Sequence, residues 1–416
     1  MPTLSEKLRS LGVNIGPASI QPPAPKAPPA NLESVLGGHR LENPMGETFV
    51  VEQVLQIGSP YGSSLLQMNA PMDAMSVWAG DTRLTSILPQ CFAFLDTETT
   101  GLSGGTGTYA FLIGVGKFEG DHFYLAQFFM RDPSEEPAQL YALEEFLAPC
   151  QALVSYNGKA FDIPLLVTRF ITHGWQIPFR DHAHIDLLHL SRRLWRDRLP
   201  SRTLGNVEAQ ILRASRTEQD VPGWMIPQMY FDYLRSGDAA PLRSVFYHNA
   251  MDVISLAVLL NHTANLLADP LQSEIEHGVD LIALARLHED MGNVDLAITL
   301  YEHALQHLDA VEDRMPETVY LQAFERLAGI HKRRENLESA MVLWEAAAQR
   351  RHIFSHIELA KVYEHRLHDY AQAIFWTRAA IDLVNTQGFN QVERRMWLGE
   401  LEHRLERLLR KSGSDG

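Results

Sequence analysis

Two carboxylates separated by one residue are the first candidates for chemistry in this chain. Asp96 and Glu98 end an apolar run that begins at Phe92. If that run is a β-strand, alternate side chains lie on the same side and both acids share one face. Such close like charges repel unless a cation neutralises them, and their oxygens suit Mg²⁺ or Mn²⁺ better than zinc. The alternative, a surface strand with two solvated acids, is disfavoured by the apolar residues before Asp96.

A third carboxylate, Asp162, follows a strand-like run at Ala152–Tyr156 and the turn residue Gly158. It falls in the first turn of a predicted helix, Ala160–His173. The helix dipole favours a negative charge there even without any function. Taken alone, Asp162 therefore indicates a helix start more readily than a metal ligand.

The fourth carboxylate, Asp252, lies in a helical pattern that continues apolar through Val253–Leu260. A spacing of four places His248 and Asp252 one above the other on one helical face. A carboxylate among apolar residues needs a partner, and a metal ion is one such partner. His248 would then lie beside that metal as a general base. For this fragment alone, a purely structural pair is the alternative.

Taken together in this order and spacing, the three segments resemble the DEDD exonuclease superfamily, of ribonuclease-H-like fold, over about residues 90–262. The likeness is to the YprB-type predicted exonucleases, for which three stretches are typical: Asp96-x-Glu-Thr-Thr-Gly-Leu, Gly104–Gly116 and Tyr156-Asn-Gly-Lys-x-Phe-Asp162. A tetratricopeptide tail also fits some members of that group.

This resemblance implies a metal-dependent 3′→5′ exonuclease that hydrolyses the phosphodiester bonds of DNA or RNA ends by a two-metal mechanism. Two ions, Mg²⁺ or Mn²⁺, would be held by Asp96, Glu98, Asp162 and Asp252. The substrate end site would be lined by Thr99, Thr100 and Asn157.

The order of two residues before the last aspartate departs from the superfamily pattern. One exonuclease subclass has histidine five residues before that aspartate, and the other has tyrosine four before it. This chain has Tyr247 at the fifth position and His248 at the fourth. A residue five back is rotated off the helical face that a residue four back shares, so His248 is favoured as the base and Tyr247 stays the alternative.

The elements that must position these residues begin with three strand-like runs, at Phe92–Leu95, Tyr109–Val115 and Phe123–Phe129. The strand and helix around Asp162 then introduce strand–helix alternation. Together these patterns predict an α/β ribonuclease-H-like domain over 91–265, with a mixed sheet that starts with three antiparallel strands. The glycine-rich run 101–107 lacks the lysine of a phosphate-binding loop, so we expect it to connect the first two strands.

Two further segments precede this domain. Residues 1–34 include a proline-rich run with almost no large apolar side chains, which predicts a flexible segment. Residues 35–90 contain short apolar runs separated by glycines, which predict a small strand-containing lead-in.

The last third of the chain, 275–411, carries an internal repeat. Small residues flank an aromatic side chain at fixed helical spacing, as in Ala297, Tyr301, Ala304 and again in Ala340, Trp344, Ala347, while a third copy has Ala373, Thr377, Ala380. Small residues let paired helices approach and the ring fills a groove, which is the mechanism of tetratricopeptide arrays. The first two copies lie farther apart than the last two, so we expect an insertion between them. An irregular helical bundle is the alternative, and a repeat domain predicts a docked protein partner.

Charge and composition limit the remaining possibilities. A net charge of −15 argues against nucleic acid as a partner, but five arginines between 192 and 202 could form a local basic stripe. These arginines and Lys159 are the candidates for phosphate contacts, with a solvated helix face as the alternative. The first residues lack the order of a signal peptide, so we expect a cytoplasmic protein without a membrane partner.

Two other functions compete with the exonuclease. One is a nucleic-acid-binding or scaffolding protein whose nuclease-like core is degenerate and whose repeats carry the function. The other is endonucleolytic action on structured nucleic acid at the same metal site.

Overall fold

A computed structural model describes residues 31–101, 107–306 and 316–413. The predicted proline-rich segment lies almost wholly outside these residues, as do most of the glycine-rich run 101–107 and the expected insertion. The described strands are β1 (His39–Asn43), β2 (Gly46–Gln56), β3 (Pro60–Tyr61), β4 (Ser64–Leu65), β5 (Phe92–Thr99), β6 (Ala110–Glu119), β7 (His122–Phe129), β8 (Ala152–Ser155) and β9 (Ala183–Asp186).

Seven of these strands form one mixed sheet in the order β1-β2-β7-β6-β5-β8-β9. Strands β1, β2, β7, β6 and β5 pair antiparallel, whereas β5, β8 and β9 pair parallel. The predicted mixed sheet, with three antiparallel strands followed by strand–helix alternation, is therefore confirmed. Strands β1 and β2 come from the predicted lead-in and extend the same sheet, since β2 pairs with β7 along its length.

Helices cover both faces of the sheet. Those of the first two thirds are α1 (Leu32–Leu36), α2 (Asp73–Ala79), α3 (Glu136–Leu147), α4 (Asp162–Thr172), α5 (Leu187–Trp195), α6 (Leu204–Gln210), α7 (Ile226–Ser236) and α8 (Leu242–Ala268). On strand β5, Phe92 and Phe94 belong to the core that includes Val253 of α8, whereas Ala93 and Leu95 belong to the core formed with α3 and α4. This alternation fixes which face each later residue of β5 occupies.

Helix α8 is the central helix of the first domain. By length and composition alone it is apolar enough to cross a membrane, but 78% of its most apolar 18-residue window is buried inside the protein. Burial of that kind is expected for the core helix of a domain that covers a sheet.

The remainder of the described chain is all helical. It consists of α9 (Gly278–Asp290), α10 (Val294–Gln306), α11 (Glu317–Arg333), α12 (Leu337–Gln349), α13 (Ile353–His365), α14 (Tyr370–Thr386) and α15 (Gln391–Ser412). The residues of the internal repeat are all buried: Ala297, Tyr301, Ala304, Ala340, Trp344, Ala347, Ala373, Thr377 and Ala380. Small and aromatic side chains thus mediate helix contacts where the repeat pattern predicts them.

Helix α9 packs directly on α5 of the first domain. One continuous apolar core runs from Leu190 through Leu267 to Leu284 and Ile330, so the two regions share buried surface. Ion pairs border this interface, including Arg193 with Asp290, Arg198 with Asp280 and Arg286 with Asp197. Two arginines of the run 192–202 therefore bind the helical region instead of forming an exposed basic stripe.

Candidate active site

Asp96 and Glu98 lie on the face of β5 that is turned toward α8. They follow Phe92 and Phe94 on the same side of the strand, opposite Gly114 and Leu112 of β6 in the ladder. The predicted period of two thus places both carboxylates on one face, and that face meets the helix that carries Asp252.

Asn249 of α8 holds the carboxylate of Asp96, and sequence reasoning missed it. Its Nδ2 donates to Asp96 Oδ2 at 2.9 Å, and its Oδ1 accepts from Gln127 Nε2 at 2.9 Å. Asn249 is fully buried. A polar side chain between the predicted base and the apolar run Val253–Leu260 was the available signal, because buried amides require partners.

Gly114 leaves the space that Asn249 occupies. A Cβ at Gly114 would lie 2.1 Å from Asn249 Oδ1, so no other residue type fits without displacing the amide. We expect Gly114→Ala to lower the free energy of unfolding by about 1–3 kcal/mol, as overpacking in a filled core does. Chemical denaturation measures this loss. Gly205→Ala is the matched control, because nothing lies near its Cβ position, and an equal loss in both variants would contradict the explanation.

Asp162 reaches the site from the start of α4. Its Oδ1 accepts a hydrogen bond from the Thr97 hydroxyl at 2.5 Å, which ties the helix start to β5. Gly158 lies close by, since a Cβ there would be 2.3 Å from Ser155 Oγ and 3.2 Å from Asp162 Oδ2. The glycine therefore allows the loop after β8 to pass tightly beside the carboxylate.

The loop that carries Asn157 and Lys159 is fixed by the buried carboxylate of Asp186. The backbone N–H groups of Asn157 and Lys159 donate to Asp186 at 2.7 and 3.1 Å, and that of Leu188 also donates to Asp186 at 3.1 Å. Asn157 has a φ of +67°, a left-handed conformation that asparagine tolerates better than most residues. Asp186 thus sets the position of this loop beside Asp162.

The predicted substrate residues lie around the acids in different ways. The Thr99 hydroxyl donates to the carbonyl of Gly101 at 2.9 Å, and the Thr100 hydroxyl accepts from the Tyr109 N–H at 3.0 Å. Both threonines thereby bind residues at the described ends of the segment between β5 and β6. The side chain of Lys159 is exposed.

Asp252 is paired with Arg216, which sequence reasoning also missed. Its Oδ1 accepts from Arg216 Nη2, and the same guanidinium binds the buried Glu208 at 2.7 and 2.9 Å. No local pattern marks Arg216, because it lies in the irregular segment after α6.

His248 and Tyr247 point to different partners. His248 Nδ1 lies 2.7 Å from Asp220 Oδ1, and its Nε2 lies 3.6 Å from Asp252 Oδ2. The Tyr247 hydroxyl instead accepts from the backbone N–H of Thr217 at 3.0 Å. His248 therefore adjoins the carboxylates, whereas Tyr247 fastens the segment that carries Arg216 and Asp220.

The electrostatics of the site show that the acids are close to one another. Burial raises the pKa of Asp96 well above its usual range, and the negative charges of Asp252, Glu98 and Asp162 raise it further. Burial also raises the pKa of Glu98, with additions from Asp252 and Asp162 and an opposing effect of Arg216. The pKa of Asp162 is raised chiefly by burial. The negative charges of the site therefore outweigh the positive charge of Arg216, and a bound cation would relieve their repulsion.

The donor chemistry of these residues suits a divalent cation, because all four supply carboxylate oxygens and none is a thiolate. Within the part of the chain that the structure describes, however, no three His, Cys, Asp or Glu side chains converge closely enough to hold an ion as they stand. Three of the four acids are hydrogen-bonded to other side chains: Asp96 to Asn249, Asp162 to Thr97 and Asp252 to Arg216.

A cavity of about 980 Å³ opens beside Arg216 and Asp252. Its walls include Glu208, Arg216, Asp220, His248 and Asp252. Of the four candidate ligands, the cavity is lined by Asp252, and its volume is large enough to admit a small substrate to that carboxylate.

A family model agrees with the fold of the first domain. Residues 93–264 match the family model RNase_H_2 of the RNase_H superfamily. The chain is similar to a protein of Bacillus subtilis strain 168 named "Uncharacterized protein YprB", with 33% identity over 288 residues, covering 68% of this chain and 67% of that protein. It is also similar to the family B DNA polymerase of the archaeon Pyrobaculum calidifontis, with 15% identity and a TM-score of 0.34, covering 59% of this chain and 34% of the polymerase.

Proposed function

Because this chain belongs to the ribonuclease H superfamily and to the family of YprB, we propose that it is a metal-dependent exonuclease that hydrolyses the phosphodiester bonds of DNA or RNA. One observation carries this proposal. Carboxylates from three distant segments, the strand β5, the start of α4 and the middle of α8, lie close enough to raise one another's pKa. A buried concentration of negative charge of this kind has little structural benefit and suits the binding of cations.

The four acids Asp96, Glu98, Asp162 and Asp252 would hold two divalent cations, Mg²⁺ or Mn²⁺. When bound, such ions supply Lewis acidity and lower the pKa of a water. His248 would accept the proton of the attacking water at Nε2, the ring nitrogen nearer to Asp252. Tyr247 is the less suitable base, since its hydroxyl is bonded to the Thr217 backbone.

The substrate end would lie over Thr99, Thr100, Asn157 and Lys159, on the sides of the site formed by β5 and the loop after β8. The side chain of Lys159 is exposed and close in sequence to Asp162, so it can pair with a phosphate. The 3′→5′ polarity rests on the resemblance to DEDD exonucleases.

We assign the helical region to protein docking, as a tetratricopeptide-like array. The burial of its repeated small and aromatic residues supports this assignment. The cytoplasmic address predicted from the sequence belongs to the same proposal.

A scaffold with a degenerate nuclease core is the second candidate, and the ion pair of Arg216 with Asp252 favours it. An arginine beside a carboxylate gives that group a partner without any metal. The exchanged order of Tyr247 and His248 points the same way.

A cleavage assay separates these functions. End-labelled single-stranded and duplex DNA and RNA are incubated with the protein and Mn²⁺, Mg²⁺ or chelator, beside Asp96→Ala. We expect a ladder from one end that needs metal and disappears in the variant. Binding without cleavage would favour the scaffold, and cleavage of circular substrates would favour an endonuclease.

A further inference from the structure

The two ring nitrogens of His248 have different neighbours. Nδ1 lies 2.7 Å from Asp220 Oδ1 and 3.3 Å from Arg216 Nη1, while Nε2 lies 3.6 Å from Asp252 Oδ2. An ionised carboxylate can only accept a hydrogen bond, and a guanidinium can only donate one. The shorter contact therefore requires a hydrogen on Nδ1. With Nδ1 protonated, a neutral ring presents the lone pair of Nε2 toward Asp252.

Asp220 is itself held in place. Its Oδ2 lies 3.6 Å from Arg216 Nη1, and Arg216 is fixed by the buried Glu208. The surrounding segment is fastened at two further points, since Ser63 N–H donates to the carbonyl of Leu212 at 2.7 Å and Thr217 N–H donates to Tyr247. A carboxylate with both oxygens engaged in this way can impose one orientation on a ring.

We propose that Asp220 is a positioning residue, which fixes the ring orientation and tautomer of His248 so that Nε2 faces the carboxylate cluster. This inference rests on the proposed nuclease function, in which Nε2 takes a proton from water. Nothing in the local sequence indicates it, because Asp220 lies in an irregular segment far from His248 along the chain. Asp220 also contacts Arg216, which binds Asp252, and its charge raises the pKa of Glu98, so the test must separate these routes from the one through the ring.

The decisive variant is Asp220→Asn, which keeps the shape of the side chain. Because Arg216 only donates, it would draw the amide oxygen to itself and leave the amide NH₂ facing Nδ1. The NH₂ group donates to Nδ1 and so stabilises the tautomer that carries its hydrogen on Nε2. In that tautomer Nε2 has no free lone pair and cannot accept a proton from water. We expect kcat to fall about 100-fold with KM within about twofold of wild type, since loss of a correctly oriented base costs about 10²–10⁴. A residue needed only for shape would tolerate asparagine.

A double-mutant cycle tests whether the effect passes through the ring. In a His248→Ala background, Asp220→Asn should cause no further loss of kcat. Asp232→Asn is the matched control, since this exposed aspartate of α7 pairs with Arg235 and should leave kcat unchanged. Equal losses from Asp220→Asn with and without His248, or a wild-type kcat in Asp220→Asn, would overturn the inference.

The tautomer can also be measured without metal or substrate. ¹⁵N NMR of the imidazoles is recorded at about pH 8.5, where a free imidazole is neutral, and the His248 signals are assigned by their loss in His248→Ala. We expect hydrogen on Nδ1 in wild type and on Nε2 in Asp220→Asn. Hydrogen on Nε2 in wild type would overturn the inference even if the nuclease proposal holds. If no metal-dependent cleavage is found, the nuclease proposal fails by itself, and this spectrum still decides the role of Asp220.

Discussion

Asp96→Asn should abolish metal-dependent cleavage and, at the same time, make the metal-free protein more stable at neutral pH. The loss of activity, at least about 10³-fold, follows because the carboxylate is the proposed ligand at the centre of the cluster. The gain in stability follows because asparagine removes one of several buried like charges while its amide oxygen can still accept from Asn249. Both changes have one cause and opposite signs.

The pH dependence of stability checks the electrostatic part of this prediction. Burial and the neighbouring acids raise the pKa of Asp96 and Glu98 in the folded state. A group of this kind stabilises the fold when it is protonated, and this stability is lost as the pH rises through the folded pKa. The Tm of the metal-free wild type should therefore decline from about pH 4 toward neutrality, relative to Asp96→Asn.

Thermal unfolding in chelator measures this difference. At neutral pH we expect the Tm of Asp96→Asn to exceed that of wild type by about 2–5 °C. Asp121→Asn is the control, because this aspartate at the turn between β6 and β7 is 76% exposed and should change neither Tm nor cleavage. An Asp96→Asn protein that still cleaves, or that melts below wild type in chelator, would contradict the prediction.

Arg216→Ala should be the most destabilising single change near the site, by up to about 5 kcal/mol. The guanidinium binds Glu208, which is 1% exposed, and Asp252, so its removal leaves a buried charge without its cation. Loss of one partner from a buried pair typically costs about 3–5 kcal/mol. Denaturant unfolding in chelator gives the value, and added Mn²⁺ should recover only part of it, because Glu208 is not among the proposed ligands.

Arg213→Ala is the matched control for that experiment. Arg213 lies on the same segment but pairs with Glu276 at the surface, where the two side chains are 60% and 59% exposed. Exposed pairs contribute about 0–1 kcal/mol. A similar loss in Arg213→Ala would mean that the segment as a whole, and not the buried charge of Glu208, sets the stability.

The sequence could predict those parts of the site that depend on local periodicity. Asp96 and Glu98 share a face because strands alternate, and His248 adjoins Asp252 because residues four apart stack on a helix. The mixed sheet could be predicted for the same reason, since strand and helix patterns extend over several residues.

The partners of these residues could not be predicted, because they come from segments distant in sequence. Asn249 matters only because Gly114 of the neighbouring strand leaves room for it, and Asp220 and Arg216 lie in irregular backbone. The arginines at 193 and 198 show the reverse error, since a basic run looks the same whether it meets a phosphate or the acids of another helix.

The apolar core shared by α5, α8, α9 and α11 determines how the helices can serve the cleft. A flexible linker would let a bound protein move relative to the first domain, whereas the side chains of these helices share a buried core with that domain. A protein bound to α9 or α11 would therefore stay at a constant distance from Asp96. Under the proposed function, the helical region would determine which position of a nucleic-acid strand reaches the active site.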